Sequence, residues 1–279
     1  MDWTILSFLA APFVASLILT GIHAYLGVHV VERGVIFVDL SLAQIAVLGA
    51  TLALVVEAGL PGEHSALVYW MSLGFTFIGA AVFATVRTHK SRIPQEAIIG
   101  ICYAVASAAS MLAMSKAPSE SEHLKDMLVG NILAVSWEHV FQTAALYAAV
   151  GAFHYIFRKQ FLAISMNHEE ADKTGLNVRW WDFLFYASFG FVVTSSVSIA
   201  GVLLVFCYLI VPSVAAMLYS DRIGPRLAIG WTMGTIVSAV GVYLSLKLDF
   251  PTGPTIVCTF GVALLLMALV KPLIVRRAA

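Results

Sequence analysis

Long apolar runs separated by short polar breaks dominate this chain from Ile5 to Ile274. A bilayer core of about 30 Å takes roughly 20 apolar helical residues to cross, and the runs near 4–27, 34–56, 66–86, 97–115, 139–157, 181–198, 201–219, 227–246 and 255–272 supply that length or close to it. The pattern predicts an all-α integral membrane protein of about nine transmembrane helices, with eight as the alternative count, forming one polytopic domain over 1–279. The sixth and seventh runs form one stretch, Trp181 to Tyr219, whose single charge is Asp182. As one rod it would be about 58 Å long at 1.5 Å per residue, so it must turn. The turn-prone residues Ser195, Ser196, Ser198 and Gly201 predict a tight outer turn there.

Charge then sets an orientation. Basic residues in short loops are held on the cytoplasmic side. With nine spans and the N-terminus outside, only Lys116, Lys125 and Lys247 of the 16 basic residues fall outside, and the C-terminus is cytoplasmic. Acidic residues show the reverse bias: Asp2, Glu57, Glu63, Glu120, Glu122, Asp126, Glu138 and Asp249 face outward, giving an outer mouth that attracts cations or docks a partner. Overall, 60% of residues are hydrophobic and 11% charged, which excludes a soluble domain. The first apolar run has no basic residue before it and leads into further spans, so no cleavable signal is expected. The expected destination is a bacterial inner membrane.

Chemistry-bearing patterns are few. The chain has no phosphate-binding Gly-x-x-x-x-Gly-Lys-Ser/Thr loop, no nucleophile elbow and no His-Glu-x-x-His helix, so neither an enzyme nor an internal motor is expected. Cys102, Cys207 and Cys258 are widely spaced and are expected to be small buried apolar residues. On the outer side, Glu63-His64, Glu122-His123 and Glu138-His139 are adjacent pairs whose side chains diverge on a helix, whereas His123 and Asp126, three apart, share a helical face and are outer-mouth metal candidates. A structural or docking role ranks ahead of metal binding for them.

Asp39 breaks the apolar pattern of the second span. A carboxylate costs on the order of 3 kcal/mol at mid-bilayer and marks a functional site by default; the competing reading places it near the cytoplasmic helix end, six residues past Arg33, where water or that arginine satisfies it. Ser41 and Gln44 share one face, while Asp39 and Gln44 stand about 140° apart. Asp39, Ser41 and Gln44 are the candidate substrate pathway, with Asp39 and Gln44 as possible metal contacts. Ala43, Ala46, Ala50 and Ala53 continue the Asp39 face and predict an interior helix.

Between the fifth and sixth runs, the polar stretch Phe161 to Asn177 carries an N-cap signal, Asn167 with Glu170, and a stop at Gly175. It predicts a helix of about two turns, His168 to Thr174, lying at the inner surface.

The stretch Asn167 to Tyr186 resembles the loop after the fifth span in bacterial ABC transporter permeases for zinc, manganese and ferrous iron. Gly201 to Leu218 is similar to that family's helix with a central Ile-Pro-Ala, Leu244 to Val257 to its outer Asp-x-Pro-Thr-Gly-Pro loop, and Gly130 to Val140 to its entry into the fifth span. The resemblance runs from Gly27 to Val270. It implies a permease subunit that pairs with a second copy of itself, binds two cytoplasmic ATPase subunits holding ATP and Mg, and receives a divalent metal ion from an extracytoplasmic binding protein. It binds no resident cofactor and no nucleic acid. It further implies that the inner helix fits a cleft in the ATPase, through Glu169, Glu170 and Asp172, with Gly175 freeing the backbone. The second span departs from the family's Asp and His four residues apart: aligned without gaps, those positions are Leu40 and Gln44, and Asp39 lies one residue early. Amide oxygen is a poorer zinc ligand than imidazole, and oxygen-rich sites suit manganese, magnesium or calcium. A chelated metal or other small cargo, and an ion-coupled carrier using Asp39, are the alternatives.

Overall fold

The computed structural model describes residues 3–57, 65–86, 93–116, 132–166, 171 and 175–278. In chain order the α-helices are α1 (Trp3–Glu32), α2 (Val38–Glu57), α3 (Ser65–Val86), α4 (Gln95–Met114), α5 (Trp137–Ile156), α6 (Arg158–Met166), α7 (Val178–Met217), α8 (Ile223–Leu248) and α9 (Thr252–Ala278), with a 3₁₀ turn at Ile132–Ala134. Hydrocarbon offers the backbone no hydrogen-bond partners, so spanning segments must satisfy their own amides, and helices do. The described residues include seven helices long and apolar enough to cross a membrane, or eight when α5 and α6 are taken as one bent span.

Each of the nine predicted apolar runs coincides with helix, and α7 holds two of them. The predicted break falls on Gly201 and not on the serines. Ser195, Ser196 and Ser198 are helical, returning their hydroxyls to carbonyls three or four residues back, and the only non-helical residue inside α7 is Gly201, at φ 74 and ψ 160. That region of backbone space is essentially reserved for glycine.

Close contacts divide the chain into two units, each discontinuous in sequence: 1–31 with 129–151 and 199–279, and 32–128 with 152–198. In the first, α8 packs along α9, the Tyr208 hydroxyl accepts a hydrogen bond from Ser238 Oγ and its ring lies edge-on to Phe260, and Ser245 closes the α8–α9 turn onto Phe250 and Thr252. The outward faces of α8 and α9 carry large apolar side chains such as Ile236, Leu248, Val262, Leu265 and Leu269, the surface a bilayer accepts.

In the second unit, α2 is the central rod and packs on both α3 and α4. The stripe predicted to be interior is interior: Ala43, Ala46, Ala50 and Ala53 are at most 2% exposed. Gly49 lets α3 come close, because a Cβ there would lie 2.5 Å from the Met71 carbonyl oxygen. The first half of α7 lies against α3 through Thr76 and Thr194, whose hydroxyls are 3.1 Å apart, and through edge-on rings of Phe77 with Phe191 and Phe83 with Tyr186.

Candidate functional site

Helix α2 starts at Val38, so Asp39 sits in its first turn rather than at mid-span. Acidic side chains favour a helix N-terminus, where unpaired amides and the helix dipole present positive charge. The same end attracts a second carboxylate: Glu96, in the first turn of α4, accepts the Phe37 amide through Oε1 at 3.0 Å. The two acids lie within each other's electrostatic reach.

Asp39 is 1% exposed, Ser41 is fully buried and Gln44 is 6% exposed, so all three pathway candidates are interior. Among the described residues, Asp39 Oδ1, Ser41 Oγ and Glu96 Oε2 are buried with no hydrogen-bond partner. Leaving a buried polar group unmatched costs about 1–3 kcal/mol, more for a charged one, and a cation or water arriving at Asp39 and Glu96 relieves that cost. Oxygen donors of this kind suit a hard divalent ion held briefly. Asp39 and Ser41 are about 200° apart around the helix and do not aim at one point. No group of three or more His, Cys, Asp or Glu residues among the described ones could enclose a metal ion.

Arg33 is not the partner of Asp39. It turns instead to Asp182, the one charge of the sixth and seventh apolar runs, with Nη1 donating to Oδ1 at 2.6 Å, and its Nε donates to Ser165 Oγ at 2.9 Å. Its guanidinium lies over the Phe185 ring, 3.9 Å from the centroid. Both charged side chains are at most 1% exposed. A charge buried in an apolar run demands an opposite charge. That signal was present at Asp182, but the chain does not reveal its partner across 149 residues. Glu96 carried no comparable signal, because it lies next to a basic loop.

The loop after the fifth span opens with a helix that the sequence did not predict. The chain bends by 75° between α5 and α6, and α6 buries Phe161 and Ile164 fully while Arg158, Lys159 and Met166 are exposed. His154 stacks on Phe161. Ile164, Ala171 and Val178 form a small apolar cluster, with Ala163, Leu176 and Trp181 packed against it. Of the predicted coupling residues, Gly175 is exposed with φ 77, the left-handed conformation in which a helix commonly terminates; Ala171, within the predicted short helix, is helical. Glu169, Glu170 and Asp172 lie outside the described residues, as do His123 and Asp126. Of the three Glu-His pairs only Glu138-His139 is described; it is exposed, and the His139 ring binds Ser136 Oγ at the start of α5.

The cysteines divide. Cys207 is buried as expected, Cys102 is half-buried, and Cys258 is exposed on the apolar face between α8 and α9. A lipid-facing position tolerates a small apolar side chain as readily as a core does.

Residues 6–271 match the family model described as "ABC 3 transport family". The chain is 29% identical over 223 residues to the manganese transport system membrane protein MntC of Listeria innocua, covering 77% of this chain and 78% of that one. It is 30% identical over 214 residues to the chelated iron transport system membrane protein YfeC of Yersinia pestis, covering 76% and 72%. In fold it is similar to PsaBC from Streptococcus pneumoniae in complex with Fab, with a TM-score of 0.76, 24% identity and coverage of 93% of this chain and 90% of that one. A second solved structure, an inward-facing putative metal-chelate type ABC transporter, aligns with a TM-score of 0.69 at 17% identity, over 96% and 90%.

Proposed function

We propose that this chain, which belongs to the ABC 3 transport family, is the membrane permease subunit of an ATP-driven importer for a divalent metal ion, manganese or iron. It is a multi-pass helical membrane protein and not an enzyme; ATP is hydrolysed on a separate subunit. The observation that carries the reading is the family match over residues 6–271. The names of the Listeria and Yersinia relatives support manganese and iron as cargo.

The partners follow from this role. A cytoplasmic ATPase docks on the inner loop of residues 161–177, a binding protein delivers cargo at the acidic outer face, and a second copy of the chain completes the pathway in a bacterial inner membrane. The basic loops support an N-terminus outside and a C-terminus in the cytoplasm. Asp39 and Gln44 contact the cargo only transiently, since conduction fails where binding is too tight to leave. Absence of the family histidine at Gln44 favours manganese over zinc, because oxygen donors suit manganese better.

A chelated metal is the second reading, favoured by the name of the Yersinia relative and by the departure at Leu40 and Gln44 from a paired Asp and His. Uptake of radioactive manganese and of ferrous iron into cells lacking the native gene and carrying the parent, Asp39→Asn or Gln44→His tests the assignment. The parent restores uptake and Asp39→Asn lowers it. Parental uptake in both variants removes these residues from the pathway, and a parent that restores nothing removes the cargo class.

A further inference from the structure

One buried side chain of the second unit, Arg33, reaches two other helices at once. Arg33 follows α1 and precedes the first turn of α2, where Asp39 lies. Its guanidinium is held in three directions at once: Nε to Ser165 on α6, Nη1 to Asp182 on α7, and its face on Phe185 of α7. A planar, always-charged fork suits such a junction, and lysine could not reproduce it. Burying an ion pair is weak evidence for stability, because desolvation offsets the attraction; registry or switching is the better-attested use.

What the junction joins is specific. Helix α6 opens the polar loop proposed to meet the ATPase, and it is also clamped by Phe161, which stacks on His154 and meets Trp181 and Phe185 with its ring. Beyond α6, Ala171 and Leu176 return the chain onto Ile164 and Val178. A displacement of this loop therefore moves a packed block, and Arg33 ties that block to the entry of α2.

We propose that Arg33, through Ser165 and Asp182, is the positioning residue that transmits motion of the ATPase-facing loop to the α2 end bearing Asp39. The inference rests on the permease reading above. Arg33 touches no cargo; it acts by making α6, α7 and the start of α2 move together. A merely structural role would reduce the quantity of folded complex and lower ATP hydrolysis and transport alike, leaving their ratio unchanged. A transmission role changes the ratio.

The test uses the purified permease with its ATPase and manganese-loaded binding protein in liposomes, measuring manganese accumulated per ATP hydrolysed. Ser165→Ala keeps the ion pair and removes only the tie to α6; the double variant Arg33→Gln with Asp182→Asn removes both charges without stranding either. Expected is an assembled complex with basal ATP hydrolysis within twofold of the parent and manganese moved per ATP down at least fivefold. Where the double variant fails to assemble, Ser165→Ala decides. A parental ratio in Ser165→Ala overturns the inference while leaving the permease reading intact. A parent complex that moves no manganese with ATP overturns both.

Discussion

His154 and Phe161 lie ring on ring, 4.3 Å between centroids and 15° from coplanar, across the bend that separates α5 from α6. His154 is buried, and its Nε2 is 2.8 Å from the Ser188 hydroxyl on α7. The stack holds the short helix against α7, and Phe161 is fully buried. Phe161→Ala is expected to destabilise the protein by about 3–5 kcal/mol, and His154→Gln, which preserves a donor for Ser188, by about 0.5–1.5 kcal/mol. Thermal unfolding in detergent reads both; equal losses would mean the stack contributes nothing distinct.

The α2–α3 contact gives a second prediction. A methyl at position 49 meets the Met71 carbonyl oxygen at 2.5 Å and its carbon at 2.9 Å, both backbone atoms that cannot rotate aside. Overpacking of this kind costs about 1–3 kcal/mol. Gly49→Ala is therefore expected to lower the unfolding temperature, whereas Gly74→Ala, where an added Cβ meets nothing within 4 Å, is expected to leave it unchanged.

The break in α7 gives a third. Gly201 holds φ 74 and ψ 160, where any L side chain is strained by about 1–3 kcal/mol. Gly201→Ala is expected to reduce the yield of folded protein and its unfolding temperature, while Ser198→Ala, at an exposed helical position, changes neither. A parental melt for Gly201→Ala would show that the two helical runs do not depend on this backbone.

What the sequence disclosed follows from what each signal measures. Apolar run length reports a crossing, so all nine runs found helix, and alanine at helical spacing reported the interior face of α2 correctly. Hydroxyl content did not report the turn: in helices within membranes, serine returns its hydroxyl to the preceding turn, as Ser195, Ser196 and Ser198 do here. Asp182 announced a need for a partner, but pairing with Arg33 is long-range and carries no local periodicity. Helix α6 was missed because nine residues with two adjacent cations read as loop, while its bend and its buried Phe161 are products of packing.

Orientation yields a fourth prediction. Cysteines introduced singly at His168 or Lys173, in a background with Cys102, Cys207 and Cys258 replaced, are expected to resist a membrane-impermeant thiol reagent in intact cells and to react once cells are opened. A cysteine at Ser121 is expected to react in intact cells. The opposite labelling would invert the chain and place the proposed ATPase contact on the wrong side.

The central claim is that this chain moves a divalent metal ion with energy from a separate ATPase. Liposomes containing the permease, its ATPase and a manganese-loaded binding protein measure it directly. The account predicts manganese accumulation that requires ATP and the binding protein, and that falls to background when the ATPase is omitted. Accumulation that proceeds without the ATPase, driven by an ion gradient alone, would contradict it.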